Sequence, residues 1–353
     1  VTTTGPWQPD ILPGYSAREL SLGVAPEDGE PPDELRAALI RRDGVPRSVA
    51  VLYVHGWNDY FFHTHVGDHF AALGTSFYAL DLRRCGRSLR DRQYAGYVAD
   101  LDDYAVELDL ATSAILAEHD ELIVMAHSTG GLTAALWADA NPGRVAALIL
   151  NSPWLDLQGS WVLRSLAAGL IGQLGTRHPT AVIPLPEQVR YAKSLHAKYG
   201  GEWNYDLRLK SEVPVPIRVG WVAAVLKGHE RVAAGLDIDC PVLVLSSKRS
   251  DFKLRWDASL RRADTVLDVD QIAARAGRLG DVVTLVRIRD GVHDLTLSTE
   301  PVRRQLWAEI DRWLSAYAPI ATVDPLTDPR TGQSPLRSPE RTDDGHGEMS
   351  LSP

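Results

Sequence analysis

The chain has 353 residues, 44% hydrophobic and 24% charged, with a formal net charge of -9. So much apolar material excludes a globally disordered chain, and the acidic balance speaks against a nucleic-acid partner, which is gripped by clustered Lys and Arg. Cys85 and Cys240 are too few for a disulfide framework or a Cys-ligated zinc site, which makes a reducing cytoplasm the expected compartment. Ten Trp and eleven Tyr point to an aromatic-lined pocket. No basic stretch followed by an apolar run opens the chain, and no run of 18 apolar residues follows, so neither a secretory signal nor a membrane span is expected.

In chain order, residues 17–22 and 34–40 read as an antiparallel pair that starts a sheet. Residues 49–54 are a short β-branched run ending in His55-Gly56, the mark of a buried strand. Further strands are expected at 77–82, 122–125, 145–150, 241–245 and 282–288. Between them lie helical patterns, clearest over 98–118, where Leu101, Ala105, Leu108 and Ile115 recur at helical spacing. Strands alternating with helices predict an α/β fold with a mostly parallel central sheet and helices on both faces. The alternation breaks between Asn151 and Cys240, too long a gap for a structureless loop. That segment is expected to be a subdomain at one edge of the sheet. The predicted organisation is a core over 1–153 and 238–318, a lid insertion over 154–237, and a disordered tail over 319–353, rich in Pro, Ser, Thr and Asp.

Ala126-His127-Ser128-Thr129-Gly130-Gly131 joins the third parallel strand to a helix over 132–140. This is the strand-turn-helix setting of a nucleophile elbow, G-x-S-x-G with Ala in its first position. Small residues flank the Ser because the turn is tight, and the helix N-terminus favours developing negative charge. His55-Gly56-Trp57-Asn58 follows an earlier strand, where an oxyanion donor is needed. The backbone amides of Trp57 and Thr129 are the candidate donors. His293, on the loop past the last strand, is positioned to reach Ser128 as general base. Asp251, Asp257, Asp264 and Asp268 all follow the preceding strand and compete for the acid. Asp264, 29 residues before His293, leaves room for one helix and one strand and is preferred; Asp251, nearest the strand end, is the alternative.

Taken together, His55-Gly56-Trp57, the run from Tyr78 to Ser88, Ala126-His127-Ser128-Thr129-Gly130-Gly131, Ala263-Asp264-Thr265-Val266 and Gly291-Val292-His293-Asp294 resemble the monoacylglycerol lipase and lysophospholipase-like branch of the α/β-hydrolases, the serine-aminopeptidase-like hydrolases. The resemblance runs over about residues 15–318. It implies a Ser-Asp-His triad in that chain order, no cofactor, and a lid matching the insertion. Arg84 departs from the pattern, standing where the loop after the second parallel strand usually has its first Gly.

His63, His65, Asp68 and His69 imitate a metallo-hydrolase zinc run with one residue too many. The extra residue turns Asp68 and His69 off the face offered by His63 and His65, so the run reads as a helix with solvent or pocket histidines and no metal is expected. The whole predicts a cofactor-free serine hydrolase acting on a small-molecule ester with an apolar acyl or alcohol group. An amidase, peptidase or acyltransferase with the same triad, or a non-catalytic binding relative, are the alternatives.

Overall fold

Among the residues that the computed structural model describes (5–157, 171, 174–175, 177–184, 190–253, 255, 257–318 and 320), nine strands form one sheet. They are β1 (Gln8–Pro9), β2 (Tyr15–Val24), β3 (Glu34–Arg42), β4 (Val49–Val54), β5 (Ser76–Asp81), β6 (Glu121–His127), β7 (Ala147–Asn151), β8 (Val242–Ser247) and β9 (Val283–Ile288). Their order is β1-β2-β3-β5-β4-β6-β7-β8-β9. Pairing is antiparallel from β1 through β3 to β5, and parallel from β5 to β9. The helices are α1 (Thr64–Ala72), α2 (Ala105–Leu116), α3 (Thr129–Ala140), α4 (Arg190–Leu195), α5 (Val219–Ala234), α6 (Val269–Ala276) and α7 (Glu300–Tyr317). All described residues belong to one unit, Val1–Ile320; Ala321–Pro353, and with it nearly all of the predicted tail, lies outside them.

Both faces of the parallel strands are covered, which is why β4 and β8 are buried along their whole length and read as continuous apolar runs. Side chains still alternate. Leu52, Val54, Val124, Leu148 and Val244 pack on one face with Leu108, Ile115 and Leu136 of α2 and α3. Val51, Tyr53, Met125, Ile149 and Leu245 pack on the other with Phe70 of α1 and Leu306, Ile310 and Trp313 of α7. Truncating one such leucine to Ala costs about 2–5 kcal/mol. The parallel order brings the carboxyl ends of β4, β6, β8 and β9 to one rim, and each carries a loop of the candidate site.

Two expectations are corrected. The helix expected from Val98 starts later: Leu101–Tyr104 is a 3-10 turn opened by the Asp100 side chain, which accepts from the Asp102 amide, and α2 follows. Over a single turn, apolar spacing does not separate a period of about 3.0 from 3.6. The insertion does not lie at a sheet edge, because β7 and β8 are neighbours inside the sheet. Its α5 is the crossover between them, seated on α3: a Cβ on Gly228 would meet Leu101 at 2.9 Å and Leu136 at 3.1 Å. Residues 191–211 lie over the rim instead, against the loops after β4 and β9. The apolar stretch 161–174 falls outside the described residues, Ile171 and Leu174 excepted. Among the described residues no helix is long and apolar enough to cross a membrane.

Candidate active site

β6 ends in a turn that leaves Ser128 at φ 54° and ψ -119°, a conformation an L-residue keeps only when its surroundings enforce it. They do. The Ser128 amide donates to the Asn151 carbonyl at 3.1 Å, and the Ser128 carbonyl accepts from Trp154 at 3.0 Å and Leu132 at 3.2 Å. A Cβ on Gly130 would stand 2.1 Å from the His55 carbonyl oxygen, so only Gly fits two residues past the serine.

His293 Nε2 lies 3.0 Å from Ser128 Oγ, and His293 Nδ1 lies 2.8 Å from Asp264 Oδ2. The second oxygen of Asp264 accepts the amides of Val266 and Leu267, each at 2.8 Å. Those two bonds fix the carboxylate in place and leave Oδ2 for the imidazole. Asp251 is turned elsewhere, with Arg249 at 3.3 Å and Lys253 at 3.4 Å. Ser128, His293 and Asp264 are all buried, and Ser128 keeps the largest exposure of the three, 8%.

Trp57 and Thr129 line one narrow cleft with Leu82, Leu101, Tyr104 and Trp221. The Thr129 amide is the first of α3 and has no intrahelical acceptor by position. The Trp57 loop is held against the elbow: a Cβ on Gly56 would come within 3.0 Å of Ser128 Cβ. The Leu82 amide donates to His55 Nε2 at 3.0 Å, so Nδ1 carries the proton and donates to the Gly56 carbonyl at 2.6 Å. Arg84, the departure from the family loop, adopts φ 59° in the region that favours Gly. Its guanidinium makes a buried pair with Glu30 at 2.6 Å, which fixes the side chain in one geometry.

A second buried network beside this relay was not anticipated. Asp294 Oδ1 accepts from Asn151 Nδ2 at 2.7 Å, the Thr296 amide at 3.0 Å and Thr296 Oγ1 at 2.7 Å; Oδ2 faces His63 Nε2 at 3.1 Å. Burial disfavours the Asp294 charge, but nearby His127 and the hydrogen bonds from His63 and Thr296 outweigh it and hold the carboxyl well below its ordinary range. His127, its ring 4.8 Å from that of His293, is pushed down to about 4 by burial.

The four groups of the zinc-like run diverge. His63 takes Asp294, His65 the Thr296 carbonyl at 2.9 Å, His69 Asp311 at 2.8 Å, and Asp68 Arg42 at 3.0 Å. His63 is fully buried and burial lowers His65 to about 3, so these two are not solvent histidines. Asp59, His63 and Asp294 do bring ligand atoms within 4.8 Å of one another. That space is already served by the Lys210 ammonium, 2.7 Å from Asp59, and by the His63–Asp294 hydrogen bond. Asp294 directly follows His293, and Asp59 comes two residues after Trp57, so both sat beside motifs already singled out. Nothing in their spacing named His63, Asn151 or Lys210 as partners.

The family model described as serine aminopeptidase, S33, matches residues 46–252. A monoacylglycerol lipase of Mycolicibacterium smegmatis is 33% identical over 115 residues, which are 31% of this chain and 39% of that protein. The chain thus matches well under half the length of this curated relative. Among solved structures, the monoacylglycerol lipase of Paleococcus ferrophilus superposes with a TM-score of 0.57 at 19% identity, over 81% of this chain and 100% of that one. A soluble variant of monoglyceride lipase from Saccharomyces cerevisiae does so at 0.57 and 15%, over 90% and 96%. At these identities the structures speak to the fold alone. Over more than half of its length the sequence follows one family, and the chain belongs to the serine aminopeptidase S33 family of α/β hydrolases.

Proposed function

We propose that the protein is a cofactor-free serine hydrolase that cleaves carboxylic esters with an apolar acyl or alcohol group. The observation that carries the reading is the continuous relay from Ser128 Oγ through His293 to Asp264, with contacts of 3.0 and 2.8 Å. Ser128 attacks the ester carbonyl as His293 Nε2 takes its proton. Asp264 holds the Nδ1–H tautomer and stabilises the imidazolium. The amides of Trp57 and Thr129 receive the oxyanion. The alcohol leaves with the proton from His293, and water then releases the acid from Ser128 by the same steps. Within the insertion, residues 191–211 act as the cap over this site. The name of the mycolicibacterial relative, a monoacylglycerol lipase, supports an apolar substrate. The two free, buried cysteines fit work in the cytoplasm.

A fluorophosphonate probe tests the reading: it labels the wild type on Ser128 and leaves Ser128→Ala untouched. Absence of labelling on folded wild type would move the chain to the non-catalytic relatives. The family's description as a serine aminopeptidase favours amide cleavage as the second reading. A matched panel of nitrophenyl esters and anilides decides between them. On the esters, kcat/KM should rise from acetate towards medium chains, by up to about 0.8 kcal/mol per buried CH₂. A steady fall from acetate onward removes the apolar substrate.

A further inference from the structure

Lys210 belongs to the insertion, yet its ammonium is buried 2.7 Å from Asp59, which follows the Trp57 loop of the core. The rings of Phe62, Tyr205 and Tyr191 surround it at 5.2, 5.4 and 6.0 Å. Burying an ion pair is costly, and an apolar side chain of the same length would pack there without that cost. What the charge adds is a single allowed geometry. Its neighbours repeat the link. Asn58, itself at φ 54°, donates from Nδ2 to the Ser211 carbonyl at 3.1 Å, and the Tyr60 hydroxyl accepts from the Asp206 amide at 3.0 Å. Three consecutive residues after Trp57 are therefore held by 206–211.

The same segment also holds the histidine loop. The Tyr191 hydroxyl accepts from the Asp294 amide at 3.1 Å, and its ring meets the His293 imidazole edge-on at 5.7 Å. Trp203 Nε1 donates to the Leu297 carbonyl at 2.7 Å. A cap that only shielded the site would need no polar bonds to both of its loops. We propose that residues 191–211 are a fixed brace that sets the Trp57 amide and the His293 ring relative to one another, with Lys210 as its central positioning residue. The proposal rests on the reading of Ser128 as nucleophile and Trp57 as oxyanion donor. It adds that the insertion governs the rate of the chemical step and not only entry of substrate.

An oxyanion donor displaced by about 1 Å costs up to about a hundredfold in rate. The test compares wild type, Lys210→Met, Lys210→Arg and the double variant Asp59→Asn/Lys210→Met, which leaves no buried charge unpaired. On nitrophenyl butyrate, Lys210→Met should lose about tenfold to a hundredfold in kcat, with KM within about twofold. The affinity of butylboronic acid, which forms a tetrahedral adduct on Ser128, should fall by the same factor. Lys210→Arg should recover most of both. Hydrogen exchange, which does not depend on turnover, should quicken about tenfold or more in peptides covering 56–62 and 290–298 together. Wild-type kcat and unchanged exchange in folded Lys210→Met, or in the double variant if the single one does not fold, would overturn the brace. So would a loss confined to KM. A wild type that exchanges as expected but stays unlabelled by fluorophosphonate would instead indict the nucleophile and leave the brace standing on the exchange result.

Discussion

Two buried histidine–carboxylate pairs stand side by side at the carboxyl rim of the sheet. His293 sits between Asp264 and Ser128, so a proton taken from the hydroxyl has a carboxylate behind it. His63 pairs with Asp294 in the same way, but its ring is packed among Tyr53, Phe61 and Phe62, and its Nδ1 has no partner among the described residues. Ser128 keeps 8% exposure while His63 keeps none. The pairing itself therefore carries no chemistry. A third partner on a strained, reachable turn turns one pair into a relay, and its absence makes the other a structural bond between the helix α1 entrance and the histidine loop.

The largest effect expected from breaking this contrast is at Ser128. Ser128→Ala should lower kcat about a millionfold, to near background, while the denaturant midpoint stays close to wild type. Activity above about one percent of wild type would place the nucleophile elsewhere. Next comes the acid. Asp264→Asn should cost about 10⁴ in kcat through the wrong imidazole tautomer, and Asp251→Asn, whose partners are the half-exposed Arg249 and Lys253, should cost almost nothing. The reverse ranking would mean that the 2.8 Å contact to Asp264 is not the one used in turnover.

The elbow turn and the loops that carry Trp57 and His293 were legible because each is a local pattern: a strand, a short turn, and one residue type that chemistry requires. The core strands were legible for the same reason, since covered parallel strands are apolar runs of fixed length. What stayed hidden needs distant partners. Asp294 directly follows His293, yet its charge is held by His127 and His63 from distant parts of the chain, brought beside it by the fold, as well as by the nearby Thr296. Lys210 follows the aromatic residues Tyr199, Trp203 and Tyr205 in the sequence and carries no motif of its own, because nothing local announces Asp59. The insertion was misplaced at an edge because a break in alternation gives its length and not which strands it joins.

The second pair predicts a smaller, different loss. Asp294→Ala removes the acceptor of His63 Nε2, Asn151 Nδ2 and both Thr296 donors at once. Stranding buried donors of that kind should lower stability by about 3–5 kcal/mol in a denaturant titration. The folded enzyme should keep more of its kcat than Asp264→Asn does. A variant that retains wild-type stability would show that this network is solvated and not structural.

The smallest effect separates buried imidazoles from buried carboxylates by pH. Burial lowers His127 and His229 to about 4, against an ordinary 6.5. Between those values the unfolded chain binds protons that the folded one refuses, so stability is whole above about pH 6.5 and falls as the pH drops towards 4. The depressed Asp294 works in a lower window: its contribution is present above the ordinary carboxyl range of about 4 and is lost only below it. Between pH 6.5 and 4 the lowered histidines, His65 among them, draw stability down as the pH falls. Glu27 and Glu107, raised by burial, act in the opposite sense, so one histidine has to be removed to read its share. His229 of α5 is the one to remove, because its ring meets the Trp154 carbonyl at 2.9 Å and takes no part in the relay. His229→Leu should flatten the slope of unfolding free energy by up to about 1.4 kcal/mol per pH unit, the worth of one proton. Denaturant midpoints from pH 4 to 7 measure it, and an unchanged slope would show that His229 is charged in the folded protein.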